Sequence, residues 1–147
     1  MPYGQLLLGT VMIVALSVVH IVALVLIIAL LRSLGRKIAR PARLLDVIWI
    51  LIVTILAIFF FHVVEIWTWA ILYIWLGEFD TIERALYFST VTYTALGYGD
   101  ITLQQSWQLL SSFEAANGIM LFGVSTAFLI SVLRKVFAMT AILGPEH

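Results

Sequence analysis

Ala95-Leu96-Gly97-Tyr98-Gly99-Asp100 is the stretch of this chain whose residue types and spacing could do chemistry on an ion. A bare monovalent cation gives up its hydration water only where several oxygens replace that water together, and backbone carbonyls aimed at one axis can do so. Such a stack needs alternate residues at backbone angles that a side chain disfavours, often with positive φ. Gly97 and Gly99 supply them. Tyr98 is then expected to point away from the axis and brace the loop from behind, with Asp100 at its mouth. A second group of residues could move or share protons. His62 and Glu65 lie three apart, on one face of any helix that carries them, and Glu114 sits in a later apolar run. His-x-x-Glu could also begin a metal site, but no second histidine motif supplies the remaining ligands, so an enzyme is not expected.

These residues sit in a chain that is 63% hydrophobic and 11% charged, against about 25% charged for soluble domains. A membrane protein follows. Three runs are long enough for a hydrocarbon core that needs about 20 apolar residues: Leu6 to Leu31, Leu44 to Leu76, and Trp107 to Leu133. The chain has no cysteine, which removes disulfides and thiolate metal sites. No basic segment precedes the first run, so it reads as an uncleaved anchor rather than a signal peptide. Arg32, Arg36, Lys37, Arg40 and Arg43 all fall between the first two runs, and short basic loops stay in the cytoplasm. The expected topology therefore has the N-terminus outside and Arg134 and Lys135 ending the third span inside. Trp67, Trp69, Tyr73 and Trp75 are expected to form an interfacial aromatic belt. Asp80-Thr81-Ile82-Glu83 has capping-box spacing, which starts a short helix predicted over Thr81 to Thr94.

Ala85-Leu86-Tyr87-Phe88-Ser89 before the glycine loop, Trp107 after it, and Gly118 and Gly123 in the following apolar run complete a pattern. From about Ala85 to Leu129 the chain resembles the pore domain of tetrameric potassium channels. The resemblance implies an all-α membrane protein: three transmembrane helices, a re-entrant pore helix and a selectivity-filter loop, assembled as a fourfold homotetramer. It divides the chain into an N-terminal transmembrane helix with its basic linker (1–43), a pore domain (44–135) and a short cytoplasmic tail (136–147). Within the pore domain the expected parts are an outer helix (44–76), a pore helix (81–94), the filter (95–100) and an inner helix (107–133). Potassium would be held by backbone oxygens of Ala95, Leu96, Gly97 and Tyr98, with Gly99 completing the loop. Gly118 is expected to serve as a hinge or a packing glycine, and Gly123 to permit close helix approach. Asn117 is expected at the cavity, where its amide could contact hydrated ions, or against a neighbouring helix.

The pattern departs from the family at named positions. Where members usually carry Thr-Val-Gly-Tyr-Gly, this chain has Ala95-Leu96-Gly97-Tyr98-Gly99. Ala95 keeps the carbonyl but loses the hydroxyl that helps form the innermost ion site, so selectivity is expected to survive and conductance to fall. Leu96 is a mild change, its side chain expected behind the loop. The pore-helix carboxyl that often faces the mouth aspartate is here Val91, so Asp100 needs another partner: the hydroxyl of Tyr87 is offered, while Thr92 and Thr94 can bond the loop backbone.

Ionisable residues within spans usually face the protein interior and pair with one another. At about 1.5 Å rise per residue, Glu65 lies roughly 16 Å below Leu76 and Glu114 roughly 15 Å below Gln104. The matching depth predicts one hydrogen-bonded cluster of His62, Glu65 and Glu114 behind the pore helix, structural or pH-sensing, with at least one carboxyl protonated. His20 is expected to be an interhelical donor. The first span lacks the regularly spaced arginines of a voltage sensor, and the residues after Lys135 are too few for a ligand-binding domain. The expected function is passive, potassium-selective conduction. A weakly selective cation pore and a non-conducting subunit stabilising a partner transporter are the alternatives. No cofactor is expected beyond potassium as the permeant ion. The expected partners are further copies of the chain and membrane lipid, with anionic headgroups along Arg32 to Arg43; no nucleic acid is expected. The expected location is the plasma membrane, crossed several times.

Overall fold

The computed structural model describes residues 2–35 and 43–138. It contains α1 (Pro2–Gly35), α2 (Leu44–Trp75), α3 (Ile82–Tyr93) and α4 (Gln108–Phe137), with no strand among the described residues. Arg36, Lys37 and Arg40 of the basic linker, and the tail from Met139, lie outside the described residues. Three of the helices, α1, α2 and α4, are long and apolar enough to cross a membrane. Helix is the form lipid imposes, since each backbone amide and carbonyl must find its partner within the segment. Both α1 and α4 run past the predicted spans. The reason is that an apolar window marks only the hydrocarbon part of a helix, whose turns continue into the interface.

Helix starts follow local chemistry. At α2, Asp46 reaches back so that the Arg43 backbone N–H donates to its Oδ2 at 3.0 Å. The α3 cap lies one residue later than the spacing predicts: Thr81, at φ −131° and ψ 147°, accepts from the Arg84 amide. At α4 the first-turn amide of Leu109 donates 2.9 Å to Gln5 Oε1 of α1, satisfying one of the orphan donors of a helix start.

Helix α1 lies against both α2 and α4. Its Gly9 faces the Phe113 ring so closely that a Cβ there would stand 2.5 Å from the nearest ring atom. Since lipid is as apolar as the side chains it would replace, association rests on such packing and on interhelical hydrogen bonds rather than on escape from water. The interior is layered. Trp69, Tyr73, Phe79, Phe88 and Tyr93 form an aromatic core with Leu16 and Leu110 near the loops. Leu24, Ile27 and Ile58 form a middle layer, and Val47, Ile50 and Val136 close the far end beside Leu31. That far end carries Arg32, Arg43, Arg134 and Lys135, so all of these cations share one side.

The aromatic belt is corrected by this packing. Trp67 and Trp75 do face outward, but Trp69 and Tyr73 are completely buried. Residues two apart on a helix point to nearly opposite sides, so Trp69 and Tyr73, one turn apart, share the inward face and belong to the core that supports α3.

Candidate functional site

The 95–100 loop hangs from the C-terminal end of α3. Three of its amides turn back on that helix: Ala95 N–H donates to the Thr92 carbonyl (2.9 Å), while Leu96 and Gly97 both donate to the Val91 carbonyl (2.9 and 3.2 Å). These bonds use up helix-end carbonyls that would otherwise be orphaned. The loop's own carbonyls, from Ala95 to Gly99, accept no hydrogen bond among the described residues. Positive φ recurs at every second residue: Ala95 at 57°, Gly97 at 58° and Gly99 at 74°. Alternation of this kind turns successive carbonyls toward one side. The glycines adopt it freely, whereas at Ala95 the left-handed conformation costs roughly 1–2 kcal/mol.

Side chains around the loop divide into those placed as the sequence predicts and those that are not. Tyr87 donates its hydroxyl to Asp100 Oδ2 at 2.7 Å, filling the place of the missing carboxyl pair. Asp100, as acceptor of that bond, holds the Tyr87 phenol above its ordinary range. Thr94 does not bond the loop; its hydroxyl donates back to the Thr90 carbonyl at 2.7 Å, within its own helix. The Thr92 side chain makes no hydrogen bond among the described residues, and this residue serves through its carbonyl. Leu96 and Tyr98 are 55% and 67% exposed, so neither packs behind the loop of its own chain. A cavity of about 330 Å³ lies there instead, lined by Tyr87, Val91, Thr92, Ser111 and Ser112 among others.

Helix α4 passes beneath α3 at Gly118. A Cβ on Gly118 would stand 1.9 Å from the Tyr93 carbonyl oxygen, which makes this residue a packing glycine against the end of α3. Gly123 meets nothing within 4 Å, so no close approach occurs there within the chain. Asn117 is fully buried, and neither polar atom of its amide has a partner among the described residues; it faces no open cavity among them.

The predicted three-residue polar cluster is two networks. Glu65 accepts from His20 Nδ1 at 2.7 Å and from the Tyr93 hydroxyl at 2.5 Å, and lies 3.1 Å from His62 Nδ1. Ser125 of α4 stands 3.0 Å from Nε2 of each histidine. Glu114 joins none of these. Its Oε2 accepts from the Tyr73 hydroxyl at 2.6 Å, and its Oε1 is 2.5 Å from Ser89 Oγ. The expected match in depth did not hold, since Glu114 bonds Tyr73, two turns or about 12 Å beyond Glu65 along α2. His20, Ser125 and Tyr93 were the members missed, and only His20, an ionisable residue alone in an apolar span, carried a signal in the sequence.

Both networks grip α3 from behind, at Ser89 and at Tyr93. Ser89 Oγ is also 2.9 Å from the Ile66 carbonyl. A hydroxyl has one proton to give, and a carbonyl only accepts. All the contacts of Ser89 are therefore hydrogen bonds only if Glu114 itself carries a proton. His20, His62 and Glu65 bring their ligand atoms within 4.8 Å of one another, so the histidine that a metal site needed in addition to His62 is present after all.

A family described as ion channel matches residues 48–135, a stretch that contains α3, the 95–100 loop and nearly all of α2 and α4. This chain belongs to that ion-channel family, of the two-helix pore type. It is accordingly a membrane transport protein. Neither the curated proteins nor the solved structures yield a match.

Proposed function

We propose that this chain supplies one quarter of a potassium-selective channel, conducting passively through a filter built from the backbone oxygens of Ala95, Leu96, Gly97 and Tyr98 in a fourfold homotetramer. The observation that carries the reading is the alternation of positive φ at Ala95, Gly97 and Gly99 together with loop carbonyls that accept no hydrogen bond. Carbonyls left without donors in a membrane protein are costly, and a dehydrated cation satisfies several of them at once. Single-chain geometry supports assembly as well. The exposed side chains of Leu96 and Tyr98 and the cavity behind the loop each lack a counterpart, which neighbouring copies would supply. On this reading the membrane is the plasma membrane, with the N-terminus outside and the cation-bearing end cytoplasmic, where Arg32 and Arg43 lie against anionic headgroups. Only the permeant ion is required as a ligand.

Potassium release from vesicles containing the purified protein tests the proposal. Flux is expected from the wild type and at least tenfold less from Gly97→Ala, whose side chain opposes φ of 58°. Equal flux from both, or none from a folded wild type, would contradict it, and the latter would favour the non-conducting subunit. Ala95, which lacks a hydroxyl for the innermost ion position, specifically favours one second reading, a weakly selective cation pore.

A further inference from the structure

We propose that His20, His62, Glu65, Tyr93 and Ser125 form a proton-binding site that holds one proton more than a carboxylate and two neutral imidazoles, and that this proton ties all four helices together. The argument is a count of donors. Tyr93 has one hydroxyl proton, and its 2.5 Å contact with Glu65 Oε2 uses it. His62 Nδ1, 3.0 Å from the Tyr93 oxygen and 3.1 Å from Glu65 Oε2, can then bond either oxygen only as a donor. His20 Nδ1 lies 2.7 Å from Glu65 Oε1, so a proton lies between that pair too. Each ring's Nε2 is 3.0 Å from Ser125 Oγ. Ser125 can donate to one of them; the other must donate to Ser125.

The sum is one proton beyond a carboxylate and two neutral rings. It makes the cluster electrically neutral, either as an imidazolium facing a carboxylate or as a carboxylic acid with two neutral imidazoles. Neutrality is the condition for polar groups this deeply buried, since an isolated charge there would be expensive. His20, His62, Glu65 and Ser125 are all at most 5% exposed. Without the extra proton one of these contacts has no hydrogen between its atoms, and a histidine loses its bond either to Glu65 or to Ser125.

The titratable groups around the site come from all four helices. From α1 only His20 faces the cluster, and from α2 only His62 and Glu65. Tyr93 is the titratable group that α3 contributes. On α4, Glu114 is engaged with Tyr73 and Ser89, and Arg134 and Lys135 lie in its last turn. A divalent metal is the other occupant these side chains could take, but the spacings favour protons. Ligands of a tetrahedral zinc with bonds of about 2.0 Å stand roughly 3.3 Å apart, whereas the His20 and His62 nitrogens lie 2.7 and 3.1 Å from the Glu65 oxygens.

The site holds Tyr93, the last residue of α3, just before the loop at Ala95. Loss of the proton would loosen that hold, and under the pore reading, on which this consequence alone rests, conduction would then respond to pH. Nitrogen NMR at neutral pH of the full chain carrying His147→Gln, so that only His20 and His62 report, reads the ring protons. Infrared absorption of the carboxyl, with Glu114→Gln in the background, reads a proton on Glu65. Exactly one extra proton is expected, seen in one spectrum or the other and absent in Glu65→Gln. Two neutral rings beside an ionised Glu65 would overturn the proposal, as would rings carrying the signature of stoichiometric zinc in metal-analysed protein. Neither measurement needs current, so a channel that fails to conduct leaves this test standing.

Discussion

Glu114 has its full set of hydrogen bonds only as a neutral acid, because Ser89 must serve both the Ile66 carbonyl and the carboxyl with one proton. Glutamine reproduces that pattern, its amide donating to Ser89 and its oxygen accepting from Tyr73. Glu114→Gln is therefore expected to melt within a few degrees of the wild type in detergent. Glu114→Ala leaves the Tyr73 hydroxyl and Ser89 facing a void and is expected to lose about 2–5 kcal/mol. A glutamine variant as unstable as the alanine variant would mean that the carboxyl is ionised. Reading such details from sequence stops at identity: His62, Glu65 and Glu114 were recognisable as buried ionisable residues, but which of them touch depends on how far the helices are shifted and rotated against one another, and Glu114 meets Tyr73 two turns beyond Glu65. Tyr87 and Asp100 were legible as partners because a mouth aspartate without its usual carboxyl needs a donor, and Tyr87 lies within reach on the adjacent helix.

At the scale of elements, α3 is held at three places: Ser89 by Glu114, Tyr93 by Glu65, and the Tyr93 backbone by Gly118 of α4. The Gly118 contact is steric. A methyl group there would sit 1.9 Å from a backbone carbonyl oxygen, so Gly118→Ala is expected to lower thermal stability by about 1–3 kcal/mol and to raise amide exchange at the end of α3. Unchanged stability and exchange would show that α3 and α4 are not in contact there. Helix extents were readable because apolar runs in lipid have one backbone solution, and α2 matches its predicted range almost to the residue. The face each helix presents was less readable. Nearly every position of these spans is apolar, so amphipathic pattern is weak, and Trp69 and Tyr73 could not be told from the outward Trp67 and Trp75. Gly9 was missed for the same reason: its role exists only opposite Phe113.

For the whole molecule, the helix packing and the charge distribution agree. Three spanning helices put Arg32, Arg43, Arg134 and Lys135 at one end and the 95–100 loop at the other end of α2 and α4. Helix α1, which precedes the matched family region, is built into the same core through Gln5, Gly9, Leu16 and His20 rather than appended to it. What a single chain leaves open is the surface of the loop itself, with its exposed Leu96 and Tyr98 and its unengaged carbonyls. Selective passage of potassium through that loop is the central claim. Single-channel recording in a planar bilayer, with potassium on one side and sodium on the other, tests it most directly. The account predicts current carried by potassium alone, with a reversal potential far toward the potassium equilibrium value. A reversal potential near zero, with sodium and potassium passing equally, would contradict it.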